Sequence, residues 1–89
     1  MSNFNFGIDC SSEDEASALH DEISSLDIYQ ESLELYESRV SLVSKQPLLD
    51  FLKNYSESKS VGLSIEVWPA DQDFDEAEEN GSMEYFNYG

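Results

Sequence analysis

SSEDEASALHDEISSLDIYQESLELYESRVSLVSK, residues Ser11 to Lys45, is the stretch whose reading decides how this chain folds. It opens with a helix-entry signal. Ser12 stands three residues before Glu15, the form of a capping box, and Glu13, Asp14 and Glu15 put negative charge at the helix start, where the peptide dipoles favour it. Apolar residues recur as Ala16, Leu19, Ile23 and Leu26 and continue as Leu33, Tyr36, Val40 and Val43 in steps of three and four, which predicts one buried stripe. Asp14, Asp21, Asp27, Glu31, Glu34 and Glu37 fall between the apolar positions, and no Lys or Arg precedes Arg39. The expectation is helix across 11–45, either unbroken or divided where Ser24-Ser25 and Asp27 could end one helix and cap another. Leu33 to Val43 also admits a strand, but three-four spacing fits more of its positions than alternation does.

On the N-terminal side, Phe4, Phe6, Ile8 and Cys10 alternate with Asn3, Asn5, Gly7 and Asp9, the pattern of a half-buried strand. Gly7 inside it marks a bulge or a close approach of another group to the backbone. On the C-terminal side, Pro47 suits the first turn of a further helix, and Leu48, Leu49, Phe51, Leu52 and Tyr55 supply its apolar face. Ser56 to Ser60 reads as a turn. Val61, Leu63, Ile65 and Val67 then alternate with Gly62, Ser64, Glu66 and Trp68 as a strand that Pro69 ends. Residues 70–81 read as an acidic loop, and 82–88 as a last strand carrying Met83, Tyr85, Phe86 and Tyr88. The expected architecture is α+β, a small three-stranded, largely antiparallel sheet with two or three helices on one face, in a single acidic domain over 1–89. Strands near both termini leave edges on which a homodimer could form.

Charge is the outstanding feature of the composition. With 4 Lys and Arg against 20 Asp and Glu the formal charge is -16, yet hydrophobic residues make up 39% and aromatics 12%, enough apolar material to build a core rather than a disordered chain. The acids are segregated: 1–37 and 66–89 contain no Lys or Arg, and Arg39, Lys45, Lys53 and Lys59 all fall between them. A chain acidic only for solubility would intersperse cations. The single cysteine, Cys10, has no internal partner, and Met1 leads into Ser2-Asn3-Phe4 without a basic segment or long apolar run, so a reduced, cytoplasmic setting is expected. No stretch approaches a membrane span, and repulsion disfavours contact with anionic lipid or with nucleic acid itself.

Catalytic chemistry finds little support. Cys10 and His20 are a conceivable nucleophile pair, but no oxyanion-hole motif accompanies them, and a core cysteine beside an exposed helical histidine is the commoner arrangement. No C-x-x-C or H-x-x-x-H pair suggests zinc. Asp71-Gln72-Asp73-Phe74-Asp75 invites a calcium reading, yet the sixth position of an EF-hand loop would be Glu76 instead of Gly, and the twelfth Ser82 instead of Glu. We expect no enzyme, no cofactor and no metal. Trp68, Tyr85 and a neighbour are expected in the core, whereas Phe74, flanked by Asp73 and Asp75, reads as an exposed anchor for a partner.

Two like charges about 6 Å apart in water repel by roughly 0.7 kcal/mol, so a helix-length row costs a few kcal/mol out of a total stability of about 5 to 15. A cost of that size suggests a partner of opposite sign. An unbroken helix from Asp14 to Glu37 would rise about 35 Å, close to one turn of B-DNA, with carboxylates roughly 5 to 10 Å apart, comparable to phosphates along a strand. In size, charge and its acidic blocks Glu13 to Glu37 and Asp71 to Glu79, the chain resembles the small acidic DNA-mimic inhibitors of phages and mobile elements, among them anti-restriction, anti-CRISPR and uracil-glycosylase inhibitor proteins. Those proteins have unrelated folds, so the resemblance carries no residue across. It implies stoichiometric, non-catalytic inhibition of a host defence or DNA-processing protein in the host cytoplasm. Asp14, Asp21, Asp27, Glu31 and Glu34 would stand in for phosphates, with Asp73, Phe74, Asp75, Glu76, Glu78 and Glu79 as a second patch. The partner would be a basic nucleic-acid-binding protein. Two alternatives share the acidic surface: an immunity protein or antitoxin that neutralises a basic nuclease toxin, and an acidic adaptor subunit docking through Tyr85 to Tyr88.

Overall fold

Alternation in FNFGIDC produces the first strand, β1 (Phe4–Cys10), and with it Phe6 and Ile8 are buried while Asp9 is exposed. The computed structural model describes residues 3–26, 30–44 and 48–89, the side chains of 30–32 excepted. After β1 come α1 (Glu13–Ser24), β2 (Gln30–Tyr36), β3 (Arg39–Ser44), α2 (Leu48–Lys59), β4 (Leu63–Pro69), α3 (Phe74–Asn80) and β5 (Glu84–Tyr88). The class is α+β, as expected, but the sheet has five strands rather than three, all paired antiparallel in the order β2-β3-β1-β4-β5.

The two additional strands come from the second half of the stretch expected to be helical. α1 stops at Ser24, where Ser25 donates its backbone N–H to the carbonyl oxygens of Glu22 and Ile23. Gln30 to Ser44 then forms a hairpin instead of continuing the helix, with Tyr36 opposite Arg39 and Leu35 opposite Val40. Arg39 to Ser44 shows why: Val40, Leu42 and Ser44 are buried and the residues between them are not, a period of two that burial enforces. Hairpin turns are usually marked by Asn-Gly or Asp-Gly, which take positive φ readily. Here the turn is Glu37-Ser38, and Glu37 itself adopts φ 53, so that marker is missing.

The register brings Phe6, Leu42 and Val67 into one row and Ile8, Val40 and Ile65 into the next, an apolar inner face. α1 covers it with Ala16, Leu19 and Ile23, and α2 with Leu48, Leu52 and Tyr55. β1 lies in the centre, so the N-terminal strand leaves no edge for a dimer; β2 and β5 are the edges. Two further boundaries differ from expectation. α2 runs on through the expected turn at 56–60 to Lys59, because Ser56 is buried and its hydroxyl donates to the carbonyl of Val61 at 2.6 Å; Ser60, at φ 57, ends the helix. Residues 74–80 of the expected acidic loop are α3, which begins on the Asp73 side chain accepting from the backbone N–H of Glu76 at 2.8 Å and ends on Gly81 at φ 79. Its apolar residues are only Phe74 and Ala77, too few to register as a helical period. Pro47 and Asp27 lie outside the described residues.

Candidate functional site

Carboxylates are concentrated on two helices, and the sheet separates them. On α1, Glu13, Asp14, Asp21 and Glu22 are exposed while the opposite side of the helix enters the core through Ala16, Leu19 and Ile23. Asp14 and Asp21 are two turns apart, about 10 Å at 1.5 Å per residue. On α3, Asp75, Glu76, Glu78 and Glu79 are all exposed and follow the exposed cap Asp73. α3 lies on the outer face: Phe74 meets Trp68 edge-on at 5.5 Å, and Trp68 alternates with the core residue Val67. Among the described residues, Asp14 and Asp21 therefore do not share one phosphate-like row with Glu34. α1 spans 12 residues, about 18 Å, and Glu34 projects from β2 on the outer face, across the sheet from α1. Of Glu31 only its backbone place in β2, opposite Val43, is described.

Cations do little to offset these patches. Among the described residues, the only Lys or Arg ion pairs belong to Arg39, whose Nη1 is 2.9 Å from both Asp9 Oδ2 and Glu66 Oε1. The guanidinium crosses over Gly7 to reach Glu66, and a Cβ at Gly7 would collide with it, so the glycine in β1 answers to a side chain from the neighbouring strand. Partial burial acts to lower the Arg39 pKa, but hydrogen bonds to Glu66 and Asp9 outweigh it and hold the guanidinium charged. One of four cations is thus consumed inside the sheet face, and His20 Nδ1 makes a loose contact of 3.8 Å with Asp21. The remaining exposed acids on α1 and α3 have no Lys or Arg within ion-pair distance among the described residues.

Aromatic residues divide differently from the expectation. Tyr85 lies outside the core: it faces Glu66 across β4 and β5 on the outer face, 58% exposed, and its hydroxyl is pushed above the usual range by partial desolvation and by Glu78 and Glu66. Its β5 neighbour Phe86 packs against the core instead. Phe74 is 36% exposed, held by Trp68 rather than free in a loop. Tyr36, at the opposite end of the outer face, is 72% exposed, and period-two reading of β2 and β3 would have placed it there with Arg39.

A cleft of about 310 Å³ lies between α1 and α2, formed by residues that no local period brings together. Ala18, Tyr55 and Val61 supply its apolar lining, and Asp14, Glu15, Glu22 and Lys59 its charged groups. Glu15 does not close the capping box. Its backbone N–H donates to Ser12 Oγ at 3.2 Å, but its carboxylate makes no return bond to Ser12, and Oε1 is buried without a donor among the described residues. The same carboxylate, together with burial, raises the pKa of two neighbours: Cys10, pushed up to about 11 by burial, Glu15 and Asp9, and Tyr55, raised by burial, Glu22, Cys10 and Glu15. A thiol held protonated in this way lacks the activation a nucleophile requires.

Among the described residues, no three His, Cys, Asp or Glu side chains converge as a metal-holding group, and no helix is long and apolar enough to cross a membrane. No protein-family model, curated protein or solved structure matches the chain.

Proposed function

We propose that this protein is a non-catalytic inhibitor that presents carboxylates in place of nucleic-acid phosphates and occupies the cationic DNA- or RNA-binding groove of a host defence or DNA-processing protein, in the manner of anti-CRISPR and anti-restriction proteins. The observation that carries the reading is the set of exposed acids on α1 and α3 with no Lys or Arg partner among the described residues. Uncompensated charge of one sign costs folding stability through self-repulsion and speeds encounter with a surface of the other sign. Because the acids form two patches on opposite sides of the sheet, one groove is engaged through one patch. Asp14 and Asp21 make the α1 patch; Asp73, Asp75, Glu76, Glu78 and Glu79 make the α3 patch, with Phe74 at its base.

The test is retention of a bacterial lysate on the immobilised protein at low salt, followed by elution with duplex DNA. Elution of one DNA-handling protein is expected, and the variants Asp14→Lys/Asp21→Lys and Asp75→Lys/Glu79→Lys then assign the patch: one should weaken that complex about tenfold or more, mainly through association rate, and the other little. A partner that stays bound in excess DNA and is insensitive to both variants would overturn the proposal. A second reading, an immunity protein or antitoxin that binds a basic toxin away from its nucleic-acid groove, is favoured by the exposed Tyr36 and Tyr85 on the outer face, since tyrosine is the kind of residue on which protein interfaces concentrate their binding energy. Loss of partner binding in Tyr36→Ala or Tyr85→Ala, with DNA failing to compete, would favour that reading.

A further inference from the structure

The two edges of the sheet differ in how far they resist pairing with another chain. Among the described residues, β2 and β5 each leave a row of backbone N–H and C=O groups with no strand on the far side. β2 is interrupted: its pairing with β3 shifts register between Glu31 and Glu34, and QESLELY contains two glutamates, so irregularity and charge both blunt that edge. β5 has neither device. Its five residues, EYFNY, pair with β4 in unbroken register from Leu63 opposite Tyr88 to Val67 opposite Glu84, include no Lys or Pro, and carry three aromatic side chains. Phe86 and Tyr88 pack against the core without being fully covered, while Tyr85 is exposed on the outer face.

We propose that β5 receives an extended segment of the protein partner as a further strand of the sheet, one in which cationic residues alternate with apolar ones. The alternation follows from the pleat. Every second side chain of an added strand falls beside Phe86 and Tyr88 on the inner face, and those between fall beside Tyr85 on the outer face. The inner positions call for apolar residues, which complete the cover over Phe86 and Tyr88. The outer positions call for Lys or Arg, because Glu66 lies opposite Tyr85 and Glu78 of α3 lies beside its hydroxyl. Glu78 and the strand's own Glu84 have no Lys or Arg partner among the described residues. The same charge disfavours a second copy of this chain as the occupant, since each copy carries -16 and would bring its own Glu78 and Glu84 to the joined edges. In strand addition the main-chain bonds supply affinity and the alternate side chains supply selectivity. That the segment belongs to a nucleic-acid-binding protein rests on the inhibitor reading; the pairing chemistry of the edge does not.

The probe is the octapeptide acetyl-Lys-Val-Lys-Val-Lys-Val-Lys-Val-amide, titrated at low salt into the ¹⁵N-labelled protein; its analogue N-methylated at every residue keeps the charge and loses every main-chain donor. Hydrogen exchange at those amides of 84–88 that face away from β4 should slow about tenfold or more with the octapeptide and stay unchanged with the N-methylated analogue, while the amides of β2 keep their rates. Tyr85→Lys, at an exposed position, sets like charges side by side and should weaken binding about fivefold. Glu34→Lys removes more negative charge, but from the other edge, and should weaken it less than about twofold. Binding that survives N-methylation, that protects β2 instead, or that Glu34→Lys weakens as much as Tyr85→Lys would each overturn the edge. So would a free protein whose outward β5 amides are already protected and whose sedimenting mass doubles with concentration, the mark of a second copy. Should the octapeptide fail to pair while DNA still displaces the partner, the β5 site alone is refuted. If it pairs but DNA displaces nothing, the inhibitor reading falls and the β5 site stands; if Tyr85→Lys leaves the partner bound as tightly as before, the docking role falls.

Discussion

α1 and α3 are alike in sequence chemistry and opposite in anchorage. Each begins on a side-chain oxygen that accepts from the backbone N–H three residues on, Ser12 to Glu15 and Asp73 to Glu76, and each carries acids in its first turn with no cation in its last. α1 then buries Ala16, Leu19 and Ile23 against the sheet, whereas α3 buries Ala77 and otherwise leans Phe74 on Trp68. Charge density and structural commitment are thus separable in this fold. Carboxylates on α1 are mounted on the core itself. Those on α3 are mounted on a short helix held by buried Ala77 and the Phe74–Trp68 contact, above a tryptophan whose indole Nε1 is buried without an acceptor among the described residues.

The largest effect should come from cutting α1 off from the core. Leu19→Ala removes a fully buried side chain and should lower global stability by about 3 kcal/mol, within the usual range for such a truncation, read as a lower urea midpoint. A change under about 1 kcal/mol would mean that α1 is no better anchored than α3 and would break the contrast.

Phe74→Ala, the matching change on α3, should cost only about 1 kcal/mol, because it removes a partly exposed ring and its edge-on contact with Trp68. Its signature should be local: hydrogen exchange at the amides of 74–80 accelerates while those of β1, β3 and β4 keep their protection. Loss of protection throughout the sheet would show that α3 is coupled to the core after all.

The smallest effect is alkaline and contrasts Cys10, beside α1, with Tyr85, beside α3. Cys10, beside the start of α1, has a folded pKa raised to about 11. The folded state therefore holds its proton more tightly than the unfolded state. That contribution is fully present below the unfolded thiol pKa and is lost as pH rises towards about 11. Stability should decline over this window, and Cys10→Ala should flatten part of the decline; Tyr55, raised in the same direction, supplies a further part. Tyr85 also titrates high, beside Glu78 of α3, but it is exposed, so Tyr85→Phe should leave the curve unchanged. Denaturation midpoints measured across the window for wild type and both variants decide it.

Much of this architecture was legible in order along the chain. The Ser12 cap, the Ala16, Leu19 and Ile23 stripe, the alternation of β1 and the Leu48, Leu52 and Tyr55 face of α2 are local periodicities, and each element formed where its period lies. The β2–β3 hairpin is not legible locally, because LELYESRVSLV satisfies three-four spacing and alternation together, and its Glu37-Ser38 turn lacks the residues that announce positive φ. Gly7 within an alternating strand signals a bulge or a close approach, but that the group is the Arg39 guanidinium follows only from β3 lying beside β1.

The amount and segregation of charge, the presence of α1 and α2 and the apolar content that makes a core are local properties of the chain. All of these are sums or periods over neighbouring residues. The tertiary structure alone decided that the acids fall on two opposite faces, that Asp9, Arg39 and Glu66 meet over Gly7, and that Glu15, Glu22 and Tyr55 share a cleft. Those juxtapositions join residues up to 57 positions apart, Asp9 and Glu66 among them, and they follow from strand order and register, which are set by burying every inner-face side chain at once and not by any stretch taken alone.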